Sequence, residues 1–194
     1  MKLSFLSIIL FFSFCAAAQT MTAEEKELRQ NADLSSFVAQ AKKNKTTGCL
    51  CKPNEYVVFS FSTKTNKTVS LCVSKKVTTT TGYLVYRFGT KAKTELSFPS
   101  DTLNSFSQCS YAYYSRGGGK QNAAMTLNHF RFTNAGFTYM LFDDWHSEDG
   151  QFAKGVEVTN NKTGKTIYFP ARGKAIGDLT VFANSKIVTE SDEL

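Results

Sequence analysis

The sequence predicts an all-β domain with a short N-terminal helix, folded as an antiparallel β-sandwich or open barrel of about eight or nine strands. Three observations predict it. From Glu55 onward, β-branched and aromatic residues recur with a period of two. Turn chemistry interrupts them at short intervals, at Thr65-Asn66-Lys67, Thr133-Asn134-Ala135-Gly136 and Asn160 to Lys165. No stretch alternates strand with helix, which argues against a parallel α/β fold.

The elements follow in order. Residues 1–18 carry Lys2, an apolar run from Leu3 to Phe14 and then Ala16-Ala17-Ala18. That is the layout of a secretory signal peptide, with cleavage after Ala18 and Gln19 as the new first residue. The run is too short for a membrane span, which takes about 20 apolar residues. Cys15 follows the bulky Phe14, so lipid attachment is not expected there.

Residues 19–48 form the helical segment. Thr22 and Glu25 have the spacing of a capping box. Leu34, Phe37, Val38 and Ala41 make one apolar stripe, and Asn31 and Asp33 are candidate breaks that would divide the helix in two.

Residues 49–182 form the β-rich domain. Tyr56 to Phe61 and Thr68 to Val73 make a hairpin in which Val69, Leu71 and Val73 share one face and Cys72 lies on the other. Gly82–Gly89 and Thr94–Phe98 follow, the latter ended by Pro99. The second half supplies Ser110–Ser115, Ala124–Phe132, Phe137–Phe142, Gly155–Val158 and Thr166–Phe169. Leu179, Val181 and Phe182 suit one more strand or a docking segment, and residues 183–194 read as a loose tail. Its terminal Ser191-Asp192-Glu193-Leu194 resembles an ER-retention signal, which has meaning only in a eukaryotic route.

The charge balance limits the partners. Lys and Arg number 23 against 16 acidic residues, for a net charge of +7. The basic residues are scattered, as at Lys42, Lys43 and Lys45, Lys64 and Lys67, Lys75 and Lys76, and Lys91 and Lys93, with no run of five, the pattern of a solvated surface rather than a nucleic-acid footprint. Beyond residue 18 four cysteines remain: Cys49, Cys51, Cys72 and Cys109. In an oxidising compartment an even set implies two disulfides. Cys49 and Cys51 are too close in sequence to pair comfortably, so each is expected to reach Cys72 or Cys109. Asn44, Asn66 and Asn161 fit the glycosylation pattern in a eukaryotic route.

The sharpest chemical candidate is Asp143-Asp144-Trp145-His146-Ser147-Glu148-Asp149-Gly150. Read as a loop, it offers Asp143, Asp144, Glu148 and Asp149 to a divalent cation and His146 as ligand or general base. It lacks the spacing of a calcium loop and of H-E-x-x-H, so a solvated loop with Trp145 tucked onto the sheet is the plainer reading. Arg87, Tyr111, Tyr113 and Trp145 are candidates for an aromatic or anion-binding surface, the aromatics stacking on glycan or single-stranded ligands. Arg116-Gly117-Gly118-Gly119-Lys120 is glycine-rich but lacks the Gly-Lys-Ser/Thr and helix of a phosphate loop. No G-x-S-x-G nucleophile motif is present.

Several segments together resemble a family of small uncharacterised secreted or periplasmic bacterial β-rich proteins. They are Glu55–Phe61, the Tyr83–Gly89 strand (YLVYRFG), the Gly117–Gly119 run, Phe130–Tyr139 (FRFTNAGFTY), and Gly155–Val158 with Gly164-Lys165. The resemblance covers residues 49–169. It implies an exported β-rich protein and supplies no catalytic residue. The expectation is a secreted or periplasmic binding or envelope-associated protein, with a protein or envelope glycan as partner. It would need no cofactor and no transmembrane span in the mature chain. The alternative is a metal-dependent hydrolase centred on the 143–149 segment with a divalent cation.

Overall fold

A computed structural model describes residues 21–78, 81–148, 150–183 and 185–192. The signal-peptide segment with its cleavage point, Asp149, and the final Glu193-Leu194 lie outside the described residues.

Helix α1 spans Ala23–Lys42 and is opened by the expected capping box. Thr22 N donates to Glu25 Oε2 (2.8 Å) and Glu25 N donates to Thr22 Oγ1 (3.2 Å). Two otherwise unsatisfied donors are thereby met. Acidic Glu24 and Glu25 sit in the first turn and Lys42 in the last, each complementing the helix dipole. The helix is continuous through Asn31 and Asp33. Leu34, Phe37 and Ala41 are the residues it buries, whereas residues 23–32 are exposed.

Ten strands follow: β1 (Glu55–Thr63), β2 (Thr68–Ser74), β3 (Leu84–Gly89), β4 (Thr94–Phe98), β5 (Cys109–Arg116), β6 (Met125–Asn134), β7 (Phe137–His146), β8 (Gln151–Asn160), β9 (Thr166–Gly177) and β10 (Thr189–Glu190). They make one sheet in the order β10-β5-β6-β7-β8-β9-β1-β2-β3-β4. The described residues are therefore mostly β with one α-helix, as expected. Of the two expected architectures, the sandwich is corrected: a single curled sheet forms a half-barrel, with somewhat more strands than eight or nine. It is also mixed, because β10 runs parallel to β5 while every other pair is antiparallel. The extra strand lies in the segment read as a loose tail. The chain docks Leu179, Val181 and Phe182 in the core as a short 3₁₀ turn, then returns to the open edge of β5.

Strand β9 makes the corner. It pairs with β8 through Thr166–Pro170 and with β1 through Ala171–Gly177. Opposite its end, Val58 is the extra residue of a bulge in β1, which lets the sheet bend. The curl brings distant strands together on the inner face. Phe98 of β4 stacks on Phe132 of β6 (4.4 Å between centroids, 12° between planes), and Tyr86 of β3 meets the same ring at 4.9 Å. Helix α1 and the 179–182 turn plug the concavity, with Phe37 and Phe130 both packed on Phe182. Burying one such phenylalanine contributes about 1.5–3 kcal/mol.

The β6–β7 hairpin turns through Ala135 (φ 48°) and Gly136 (φ 80°). Two residues of positive φ between paired strands define the turn that favours Asn-Gly. Alanine bears a Cβ penalty there that asparagine largely avoids. Ala135→Asn is expected to stabilise the protein by about 0.5–1 kcal/mol, seen as a higher urea midpoint at unchanged m-value.

Candidate functional site

The four cysteines divide between the two faces of the sheet. Alternation along β2 sends Val69, Leu71 and Val73 inward and Cys72 outward, as the sequence implies. On the outer face Cys72 is bonded to Cys51. Cys109 starts β5 and belongs to the inner core, where its Sγ lies 3.5 Å from the Ser105 carbonyl. Cys49 Sγ lies 3.1 Å from the Thr46 carbonyl. Of the two expected bridges one is formed, and Cys49 and Cys109 are free and buried.

Arg87 is a correction as well. It projects from the outer face of β3 and binds Glu55 of β1 through two parallel bonds, Nη1 to Oε2 at 2.6 Å and Nη2 to Oε1 at 2.7 Å. Lys52 N (2.6 Å) and the Tyr83 hydroxyl (3.0 Å) also donate to Glu55, and the Leu50 carbonyl accepts from Arg87 at 3.3 Å. Burial pushes the Glu55 carboxyl up, but these donors outweigh it and hold its pKa below the ordinary value. Arg87 is thus committed to a buried pair and not to a free anion.

The 143–150 segment is strand up to His146, not loop. Period-two alternation then sends Asp143 and Trp145 to the inner face and Asp144 and His146 to the outer face. Asp143 is buried, paired with Lys154, and accepts from Leu179 N at 3.2 Å. It anchors the 179–182 turn. Asp144 accepts from Asn128 N (3.0 Å) and lies 3.1 Å from His129 Nε2. Arg131 Nη2 is 3.3 Å from the other ring nitrogen of His129. A guanidinium only donates, so Nδ1 accepts and Nε2–H donates to Asp144. Glu148 is exposed in the following turn. Asp143, Asp144, His146 and Glu148 therefore do not converge. Among the described residues, the only three ligand groups within metal-binding reach of one another are Cys51, Glu55 and Cys72. Two of these are joined in the disulfide and Arg87 holds the third.

The aromatic candidates fare differently. Tyr111 and Tyr113 of β5 and Trp145 of β7 all project from the inner face, with β6 between them. Register places Tyr113 opposite Asn128, and Trp145 opposite Thr126 and Phe152. Tyr111 is buried and its hydroxyl donates to Asn128 Oδ1 at 2.7 Å, while Asn128 Nδ2 donates to the Asp143 carbonyl at 2.8 Å. Beside this chain of bonds, at one mouth of the half-barrel, lies a groove of about 710 Å³. Trp145, Phe152, Lys154, Asn128, Lys174 and Asp178 line it. Phe152 is 66% exposed, and Lys154 Nζ lies 5.5 Å from its ring centroid. Sequence reasoning finds Trp145 but misses Phe152, Asn128 and Lys154, whose only signal is their cross-strand register.

No family model matches the chain. Comparisons with curated proteins and with solved structures return no match either. No helix among the described residues is long and apolar enough to cross a membrane.

Proposed function

We propose that the protein is a secreted or periplasmic binding protein whose groove at the Trp145 mouth takes a saccharide, such as a unit of an envelope glycan. The observation that carries this reading is the cross-strand pair of Trp145 and half-open Phe152 beside Asn128, Lys154 and Asp178. A sugar ring has an apolar C–H face that packs on aromatic rings and a rim of hydroxyls that needs fixed donors and acceptors. The groove offers both, and its volume falls in the range of small-ligand sites. The leader-like residues 1–18, the disulfide and the resemblance to exported bacterial proteins support the compartment.

Trp145 is the single tryptophan, so its emission reports on the groove directly. Titration with soluble peptidoglycan fragments and a panel of neutral oligosaccharides is expected to shift that emission saturably for at least one member. Phe152→Ala should weaken the same ligand about tenfold, the size of one lost aromatic contact. A flat emission across the panel, with the fold intact by circular dichroism, would overturn the reading.

A further inference from the structure

The opposite mouth of the half-barrel holds a second cavity, of about 340 Å³, lined by Tyr86, Phe88, Leu96, Tyr139, Val158 and Phe169 among others. Its walls are aromatic and aliphatic. The one charged residue on its lining, Glu95, is held by Lys67 at 2.6 Å, and Lys67 Nζ also lies 5.2 Å from the Phe88 ring centroid. The rim therefore carries no unbalanced charge, which disfavours both anions and cations as occupants.

Two tyrosines, Tyr86 and Tyr139, line this apolar space. Tyr86 is 2% exposed, and its ring centroid lies 6.0 Å from that of Tyr139. Its phenol has no hydrogen-bond partner among the described residues, and no fully enclosed side-chain oxygen there lacks one, so the Tyr86 hydroxyl keeps some accessible surface, and this is the cavity that Tyr86 lines. Burial, then the neighbouring Tyr139, push its pKa up, and burial does the same for Tyr139. Both phenols are therefore protonated donors at neutral pH. An occupant that displaces water from such a hydroxyl loses affinity unless it brings an acceptor of its own.

From this we infer that the cavity binds a small neutral aromatic molecule bearing a hydrogen-bond acceptor, its ring against Phe88 and Phe169 and its acceptor oxygen on the Tyr86 hydroxyl. The site is separate from the groove at the Trp145 mouth and stands or falls independently of it. Its volume lies at the small end of the ligand-site range, matching one or two fused rings rather than a larger cofactor.

The probe is 6-propionyl-2-dimethylaminonaphthalene, a neutral naphthyl ketone whose emission reports both polarity and hydrogen bonding to its carbonyl. Saturable one-to-one binding to the full chain is expected, with emission blue-shifted from that in water. Tyr86→Phe removes only an unpartnered hydroxyl. It should weaken binding about threefold to tenfold and shift the bound emission further to the blue. Leu96→Arg, which places a charge on the lining, should abolish the signal while thermal unfolding confirms the fold. Absence of saturable binding to the parent chain would overturn the inference. So would binding that neither substitution changes, or displacement by dodecanoate at concentrations where 2-acetylnaphthalene fails, because an alkyl anion would then be the better occupant.

Discussion

Arg87→Met is expected to cost about 3–5 kcal/mol of stability at pH 7, because it leaves the Glu55 carboxylate buried without its counter-charge. Both partners are inside the protein, with side-chain exposures of 7% and 0%. The lost free energy is mostly the cost of an unpaired buried charge and not the intrinsic worth of the pair. Removing both charges, as Arg87→Met with Glu55→Leu, should therefore recover much of the loss. The pH dependence separates this account from simple loss of packing. In the parent protein the Glu55 pKa is lowered on folding. Its contribution is present above the unfolded carboxyl value, about 4.3, and is lost as pH falls through the lower folded value. In Arg87→Met burial dominates and raises the folded pKa, so the sign reverses and protonation relieves the variant. The stability gap between parent and variant should be widest near neutrality and narrow toward pH 4. Urea denaturation across that range measures it, and a gap independent of pH would rule the mechanism out.

Gly177→Ala is the second large effect. Gly177 has φ 69°, and a Cβ built there would lie 2.1 Å from the Val58 carbonyl oxygen and 2.6 Å from Asn44 Nδ2. Those atoms cannot move apart freely, because Asn44 Nδ2 donates to the Val57 carbonyl (2.8 Å) and ties the end of α1 to the bulge. Gly173 is the control on the same strand: its φ is 73°, and a Cβ there would meet nothing within 4 Å. Gly173→Ala should cost about 1–2 kcal/mol, the strain of the left-handed backbone alone. Gly177→Ala adds a backbone collision and should cost about 3 kcal/mol or more. Equal losses from the two, by chemical denaturation, would show that the close approach to Val58 is unimportant.

Local signals were legible, and partnerships across the sheet were not. The Thr22–Glu25 box, the stripe of Leu34, Phe37 and Ala41, and the in–out alternation from Val69 to Val73 depend on neighbours within a few residues. The run from Asp143 to His146 reads as loop because strands facing a core are apolar. Here β7 leaves the core before it ends, and its inner face meets an open groove. The part of β9 beyond Phe169 is hidden for a similar reason, since Pro170, Gly173 and two basic residues interrupt any strand pattern. Glu55 and Arg87 stand 32 residues apart, and neither carries a local mark of the other. The site shares that fate: Trp145 is conspicuous in sequence, whereas its companions are assembled by the register of β6, β7 and β8.

Residues 44–54, drawn over the outside of β1 to β3 by the Cys51–Cys72 bond and by Leu50 N to Ser70 Oγ (2.9 Å), give this part of the sheet cover on both sides. Val57, Ser70, Cys72 and Val85 on its outside are as inaccessible as Phe59 and Leu71 on its inside. At the other wall, Tyr168 of β9 stands 63% exposed. The half-barrel is thus mechanically lopsided: a laminated wall of three strands acts as the frame, and the single-ply strands opposite it form the compliant side. Both mouths draw lining residues from that side, so the ligands proposed for them would rest in part on the single-ply strands.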